Sequence, residues 1–341
     1  MTIVVAILMV GVLIFFHELG HFLAARANGV AVLEFAIGMG PVVFSRQSGE
    51  TLYSIRLIPM GGFARMAGEE TEEIDLAVPD ERRFDKKPLW RRVLVILAGP
   101  VTNLLLAALL FATLFLFAGI PSNAPVVGAV GEGWPAAAAG LQPGDRIISI
   151  DGKEVNSWQQ IQLNVGEQPG KELTLLVDRG GETLTVLVTP SPHPETGQPL
   201  IGITPRIDRF NAIGAIKMGI SETAWFTGEV VSLVAGMFRG QVEAEVAGPI
   251  GMIAMMGEVA STGWLNLLSF GAAISVQLCL FNLLPVPALD GGRLVFFLIE
   301  AIRGKPIDAE KEGFVHFLGF VALIAFMLIA TFRDLQKLNV F

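Results

Sequence analysis

Cysteine and charge are both scarce in this chain. Its 341 residues include a single cysteine, Cys279, so no disulfide can form within the chain. Charged residues make up only 16% of the sequence, hydrophobic residues make up 52%, and the mean hydropathy is +0.59. This composition excludes an ordinary soluble protein and is typical of a membrane protein. The formal net charge of −8 argues against nucleic acid as a partner, because nucleic-acid binding requires a basic surface.

Internal repeats and low-complexity tracts are also missing. Many secondary transporters are built from repeated halves, so the absence of repeats counts against a transporter. The apolar stretch 4–16 lacks the preceding basic residues and the small-residue cleavage site that a signal peptide requires. We therefore expect this stretch to be a retained membrane span.

Four segments are long and apolar enough to cross a bilayer as helices. They are Thr2–Arg26, Val93–Gly119, Trp264–Leu289 and Phe314–Phe332. A fifth stretch, Met218–Phe238, carries two glutamates and repeated glycine, which favours an interfacial or protein-packed helix. Basic residues cluster in loops 27–92 and 290–313, and basic residues beside spans favour the cytoplasm. We expect these loops inside the cell, with residues 120–263 and both termini outside.

The first span contains a His-Glu-x-x-His motif formed by His17, Glu18 and His21. Two histidines four residues apart lie one turn apart on one helix face, where both can bind the same metal ion. The glutamate beside them is placed as the general base for a water molecule that the metal activates. Each ionisable side chain costs roughly 2.5–3.5 kcal/mol at the bilayer centre, so three in one span indicate a metal site more strongly than a polar helix interface.

A catalytic zinc site needs a third protein ligand and an open position for water. The candidate is Asp290, in a segment where two prolines interrupt the third span and two glycines follow the carboxylate. Irregular backbone of this kind is tolerated at membrane depth where it borders a polar cavity. With four spans, His17, His21 and Asp290 all reach the cytoplasmic side of the bilayer, whereas a fifth span would move Asp290 to the opposite face. The alternative for Asp290 is an ordinary turn residue. The metal also has an alternative, because Fe(II) binds the same set of ligands as zinc. His193 and His316 are expected to be surface or interfacial residues.

Residues 33–67, between the first two spans, are typical of strands. Apolar residues at 53, 55 and 57 alternate with polar ones, and Gln47–Glu50 is a turn signal. The His-Glu-x-x-His motif is typical of metallopeptidases. If such a site acts within the membrane, a helical substrate must unwind before its peptide bonds can be cleaved, and the freed backbone groups are costly in lipid unless they are paired again. An edge strand in this region can provide that pairing by strand addition. The alternative is an ordinary surface hairpin on a cytosolic loop.

Residues 126–206 are typical of a small module of strands and short helices. Within it, Ala136–Gly152 resembles the helix–turn–strand of bacterial PDZ domains, which bind extended peptides by strand addition. The sequence leaves open whether the module binds a peptide or only restricts access to the site. Residues 207–262 are expected to form amphipathic helices on the outer membrane face.

Together these motifs resemble the site-2 protease family of intramembrane zinc metallopeptidases. The chain is similar to its bacterial branch, which includes the regulator of sigma-E protease. Besides the His17–His21 motif, the resemblance rests on Gly99-Pro100-x-x-Asn103, the segment Asn282–Arg293 and a PDZ domain between the second and third spans. Some relatives carry two tandem PDZ domains, whereas this chain has room for one.

The resemblance implies roles for five residues. His17, His21 and Asp290 would be the zinc ligands, Glu18 the base, and Asn282 a contact to the substrate backbone or to the developing oxyanion. It also implies a membrane-dipping β-hairpin. The implied substrates are single-pass membrane proteins, such as anti-sigma factors already shortened outside the membrane, or remnant signal peptides.

We therefore predict a polytopic α-helical membrane protein with about four transmembrane helices, a membrane-associated β-hairpin and one α+β PDZ domain. The predicted domains are residues 1–119 (two spans and the hairpin), 120–207 (PDZ), 208–263 (surface helices) and 264–341 (two spans and the third ligand). The predicted activity is that of a zinc endopeptidase in the bacterial inner membrane, with the PDZ domain and both termini extracytoplasmic. The alternatives are an inactive PDZ scaffold and a metal or proton transporter. The sequence predicts no oligomeric state.

Overall fold

The computed structural model describes residues 2–69, 78–194, 196–241 and 248–337. Its contacts divide the chain into two compact units. The helical unit comprises Met1–Leu114 and Ala212–Phe341, and the β-rich unit comprises Phe115–Asn211.

The helices, numbered in chain order, are α1 (Thr2–Ala27), α2 (Leu89–Ala118), α3 (Pro135–Ala138), α4 (Trp158–Gly166), α5 (Ala212–Phe238), α6 (Pro249–Ser261), α7 (Trp264–Asn282), α8 (Asp290–Arg303) and α9 (Ala309–Lys337). Two short 3₁₀ helices, Asp80–Arg82 and Phe84–Lys86, precede α2. Among the described residues, four helices are long and apolar enough to span a membrane, namely α1, α2, α7 and α9. The prediction of four spans is confirmed.

The strands are β1 (Val32–Ser48), β2 (Thr51–Met66), β3 (Ile120–Pro121), β4 (Val127–Val130), β5 (Arg146–Ile150), β6 (Lys153–Glu154), β7 (Leu173–Arg179), β8 (Glu182–Val188), β9 (Ser191–Pro192), β10 (Pro199–Leu200), β11 (Ile203–Pro205) and β12 (Ile207–Asp208). The strands predicted between the first two spans are β1 and β2, and Ser48 pairs with Thr51 across the predicted turn.

β1 and β2 form more than a simple hairpin, because each strand bends back on itself. Residues 51–55 pair with 44–48 on one side and with 34–37 on the other, and 34–37 also pair with 62–65. The result is a small sheet of four segments made from two strands. Positive φ angles at Gly38, Gly40 and Gly61 allow the bends, because glycine adopts this backbone conformation without steric cost. Segment 62–66 consequently lies at one edge of the sheet.

The base of this sheet packs against α1. The Phe35 ring of β1 lies 4.9 Å from the Phe22 ring of α1, within a core that also contains Phe84 and Ile96. Aromatic pairs at this distance stabilise the contact beyond the area that they bury. The sheet is therefore held directly beside the helix that carries the His-Glu-x-x-His motif.

α6 is packed among the spanning helices α1, α7 and α9. Its Met256 is fully buried in a core shared with Leu13 of α1 and Ile274 of α7. On α9, the Asp334 carboxylate accepts hydrogen bonds from the first turn of α6, at Gly248 and Gly251. The expected location of α5 and α6 at the membrane surface stays a prediction.

The β-rich unit is built around the four-stranded sheet β6-β5-β7-β8. β7 alternates buried and exposed residues, and its Leu173, Leu175 and Val177 are fully buried in one core with Trp158 of α4. Because β3 pairs with β12, the start and the end of the unit lie side by side. The fold class predicted from the sequence, a polytopic helical membrane protein with a β-rich module, is confirmed.

Candidate metal centre

The structure brings three of the predicted site residues together. His17 and His21 lie on α1, Asp290 is the first residue of α8, and both imidazoles are buried. The Nε2 atoms of the two histidines are 3.2 Å apart. Oδ2 of Asp290 lies 3.2 Å from Nε2 of His17 and 3.4 Å from Nε2 of His21. Tetrahedral zinc with bonds of about 2.0–2.1 Å holds its ligand atoms roughly 3.3 Å apart, so this triangle has the dimensions of a zinc site.

The hydrogen bonds around the triangle also fit a metal. Nδ1 of His21 lies 2.9 Å from the carbonyl oxygen of Val95, which can only accept, so the neutral ring carries its proton on Nδ1 and its lone pair on Nε2. Oδ2 of Asp290 is buried and has no hydrogen-bond partner among the described residues. Nε2 of His21 and Oδ2 of Asp290 are therefore both acceptors, and they face each other at 3.4 Å. A cation bound between them would remove their repulsion.

Glycines allow the helices to meet this closely. A Cβ atom on Gly99 of α2 would lie 2.2 Å from Nε2 of His21, and one on Gly20 of α1 would lie 2.4 Å from the carbonyl oxygen of Ala98. Real Cβ contacts at these distances do not occur, so any larger residue would push α1 and α2 apart. Gly99 of the Gly99-Pro100 motif thus packs directly against the His21 ring.

The loop that presents Asp290 has its own support. α7 ends at Asn282, as the following prolines predict, and residues 283–289 are non-helical. Ala288 has φ = +76°, a conformation that non-glycine residues rarely adopt. Its backbone N–H donates to Nδ1 of His316 on α9, at 2.9 Å. His316 is therefore a support of the ligand loop, a role that no local sequence pattern indicates.

Gly291 and Gly292 let α8 start directly against this loop. A Cβ atom on Gly291 would lie 2.1 Å from the carbonyl oxygen of Leu284, and one on Gly292 would lie 2.5 Å from that of Val286. The close approach that the Gly-Gly pair predicts is present.

A cavity of about 690 Å³ opens beside the triangle. Glu18 and Asn282 both line it together with the three ligand candidates, so all five predicted site residues share one chamber. The edge segment of the small sheet also lines it, through Phe63, Ala64, Arg65 and Met66. The general-base candidate, the candidate oxyanion donor and the edge strand segment therefore line the same cavity.

Paired charges also line this cavity, and the sequence analysis assigned no role to them. The Arg56 guanidinium lies 2.8 Å from the Glu34 carboxylate and stacks 4.8 Å above the Phe63 ring. Burial favours the neutral form of Glu34, but hydrogen bonds from Arg56 and Ser54 outweigh it and hold the pKa of Glu34 below its usual value. Arg293 pairs with Glu69 on the same cavity wall. These pairs place four charged side chains on the wall of the cavity.

The sequence is similar to that of known metallopeptidases, as a site of this geometry predicts. Residues 5–326 match the profile of peptidase family M50. The chain belongs to this family. It is 36% identical to the zinc metalloprotease RasP of Geobacillus kaustophilus, over 98% of each chain. It is 35% identical to the regulator of sigma-W protease RasP of Bacillus subtilis, over 99% of each chain.

Membership of family M50 confirms the resemblance to site-2 proteases and the prediction of a membrane peptidase. Part of the chain is similar to a solved structure, the PDZ domain of an SdrC-like protein from Listeria monocytogenes. That similarity has 25% identity and a TM-score of 0.23, and it covers 25% of this chain and 90% of that chain.

Proposed function

We propose that this M50 peptidase is a zinc endopeptidase that hydrolyses peptide bonds within the transmembrane segments of single-pass membrane proteins. The observation that carries the proposal is the triangle of His17, His21 and Asp290, whose facing atoms lie 3.2–3.4 Å apart beside a chamber bounded by spanning helices. The name of the Geobacillus relative supports zinc over Fe(II). The chamber also leaves room for water and substrate, as a catalytic rather than a structural site requires.

The chain's own residues divide the chemistry between them. Zinc held by the triangle supplies Lewis acidity and lowers the pKa of water to about 7. Glu18 accepts the proton of the attacking water and later delivers it to the amine that leaves. The Asn282 amide donates a hydrogen bond to the substrate carbonyl oxygen, and this bond strengthens as negative charge develops there.

Segment 62–66 is the proposed substrate platform. It pairs with 34–37 and lies at the edge of the sheet. Because Phe63–Met66 also line the chamber, a substrate segment that adds as the next strand lies extended beside Glu18. Such pairing compensates the backbone groups freed by unwinding, each of which costs several kcal/mol in lipid.

The far part of the same sheet supports the proposed contact with lipid. It carries large apolar side chains that are about half exposed or more, namely Met39, Val42, Val43, Phe44, Ile55, Leu57 and Ile58. An exposed apolar patch of this kind marks a membrane or protein contact. We propose that this part of the sheet dips into the bilayer.

The expected division of the chain and its orientation complete the proposal. The compact unit Phe115–Asn211 supports a PDZ domain at 120–207, which we place outside the cell with both termini. In this proposal, residues 1–119 contain the first two spans and the hairpin, residues 208–263 form the surface helices, and residues 264–341 contain the last two spans with Asp290. The name of the Bacillus relative supports anti-sigma factors as one substrate class, and remnant signal peptides are a second.

The test compares wild type with Glu18→Gln, both reconstituted in vesicles with a single-pass substrate that carries a tag at each end. Wild type should contain stoichiometric zinc and cleave the substrate. Glu18→Gln should keep its zinc and lose activity by roughly 100- to 10,000-fold, the usual contribution of a general base. The matched control is Glu222→Gln, a glutamate of α5 outside the chamber, which should cleave like wild type.

Three results would contradict the proposal. Equal cleavage by Glu18→Gln would refute the base assignment. Zinc retained by wild type without cleavage, across diverse substrates, would favour an inactive PDZ scaffold. Metal flux across the vesicle membrane would favour a transporter.

A further inference from the structure

One face of α2 lies against both histidines of the triangle. Val95, Gly99 and Asn103 are spaced four residues apart, so they follow one another along that face. The Val95 carbonyl oxygen accepts from Nδ1 of His21, and the absent side chain of Gly99 makes room for the same ring. Asn103 is the next residue on this face, one turn further along the helix.

Asn103 is fully buried and meets the other histidine. Its amide nitrogen lies 3.3 Å from Nδ1 of His17. Its amide oxygen has no hydrogen-bond partner among the described residues. Its backbone oxygen accepts from the Ser275 hydroxyl of α7, at 2.8 Å.

The orientation of the Asn103 amide determines which tautomer of His17 it can bind, because the amide nitrogen donates a hydrogen bond and the amide oxygen accepts one. If the amide nitrogen donates to Nδ1, the neutral ring carries its proton on Nε2, which is the atom that faces Asp290. That proton occupies the position where a metal must bind. If the amide turns by 180° and its oxygen accepts from Nδ1, the Nε2 lone pair is directed at the metal position. Only the second arrangement is compatible with zinc.

We propose that Asn103 is the positioning residue of His17 in the metal-bound enzyme. Its amide oxygen accepts the Nδ1 hydrogen, holds the ring in the zinc-binding tautomer and raises its strength as a ligand. The inference rests on the proposed zinc site. α2 then supplies the outer partners of both imidazoles: a backbone carbonyl for His21 and a side-chain amide for His17. Loss of such a partner typically weakens metal binding by about 10- to 100-fold.

Two substitutions at Asn103 separate hydrogen bonding from packing. Asn103→Leu is similar in size and has no acceptor, so the zinc dissociation constant should rise by about 10- to 100-fold. Asn103→Asp keeps an acceptor and cannot donate, so it should bind zinc at least as tightly as wild type. Ser275→Ala is the control for packing, since it removes a contact of the Asn103 backbone and leaves the amide intact. It should leave zinc affinity unchanged.

The measurement uses the full chain, purified in detergent and stripped of metal, with zinc affinity determined by competition against a chromophoric chelator. Thermal unfolding of the metal-free variants checks that each is folded. Wild-type affinity in folded Asn103→Leu would overturn the inference. So would an Asn103→Asp variant as weak as Asn103→Leu, because it would show that the nitrogen, not the oxygen, is needed. If the Leu variant does not fold, Asn103→Asp is compared with wild type, and zinc binding weaker than that of wild type by about 10-fold or more would overturn the inference. Failure of wild type to bind zinc would instead refute the proposed function.

Discussion

Adding one methyl group at Gly99 should disable the site. The Cβ atom of Gly99→Ala would lie 2.2 Å from Nε2 of His21, whereas ordinary contact begins at 3.4 Å, so the ring and the helix must separate by about 1.2 Å. The nearest atom belongs to an imidazole that is also held by Val95, so the side chain cannot simply turn away. A displacement of about 1 Å at reacting groups can cost roughly 100-fold in rate, which corresponds to about 2.7 kcal/mol.

The assay measures kcat/KM on the tagged single-pass substrate, together with zinc affinity. Gly99→Ala should lower both, and kcat/KM should fall by about 100-fold or more. Gly228→Ala is the matched control, because Gly228 lies within helix α5 and its Cβ atom would meet nothing within 4 Å. That variant should behave as wild type. Full activity and normal zinc affinity in Gly99→Ala would refute the conclusion that the α1–α2 contact sets the ligand geometry.

Three further predictions address Asn282 in the chamber, the loop that carries Asp290, and the β-rich unit. Asn282→Ala should keep its zinc and lose about 100- to 1,000-fold in kcat, the effect of removing one oxyanion donor; loss of zinc would assign Asn282 to the metal site instead. His316→Ala removes the acceptor of the Ala288 N–H and should weaken zinc binding in the competition assay, because Ala288 can then leave its left-handed conformation; unchanged affinity would show that the loop holds Asp290 unaided. Burial favours neutral Asp145, but hydrogen bonds of 2.7 and 2.8 Å from Arg179 hold the pKa of Asp145 below its usual value. This pair therefore contributes stability above the unfolded pKa of about 3.9 and loses it as pH falls through the lower folded pKa. Hydrogen exchange of β7 should accordingly be faster in Arg179→Leu than in wild type at neutral pH, and the difference should vanish in acid; an equal difference at all pH values would show that the pair contributes through packing.

Features that depend on local pattern could be predicted from the sequence. Hydropathy identifies the spans because length and apolar composition alone determine what can cross a bilayer. The His17–His21 spacing places two rings on one helix face whatever surrounds them. Asp290 was predicted from the prolines and glycines around it, and span parity, which sets the depth of its loop, supported that prediction. The structure brings this residue to within 3.4 Å of both histidines.

Features that depend on distant contacts could not be predicted. The folding of β1 and β2 into four paired segments requires each strand to find two partners, and alternation of polar and apolar residues indicates only that strands exist. His316 supports Ala288 from 28 residues away, and as a lone histidine at a membrane edge it carries no motif. Asn103 could be recognised as part of a family motif, but its partner on α1 is 86 residues distant.

The two helices that meet at the triangle have different tasks, and this difference can be measured. α1 carries the base and two ligand candidates, so substitutions on its catalytic face remove chemistry. α2 contributes no ligand to the triangle among the described residues, yet it sets the orientation of both rings through Val95, Gly99 and Asn103. Changes on α2 should therefore alter zinc affinity and cleavage rate together, whereas Glu18→Gln should alter the rate alone. If α2 variants instead lost rate with unchanged zinc affinity, the second helix would act on the substrate and not on the ligands.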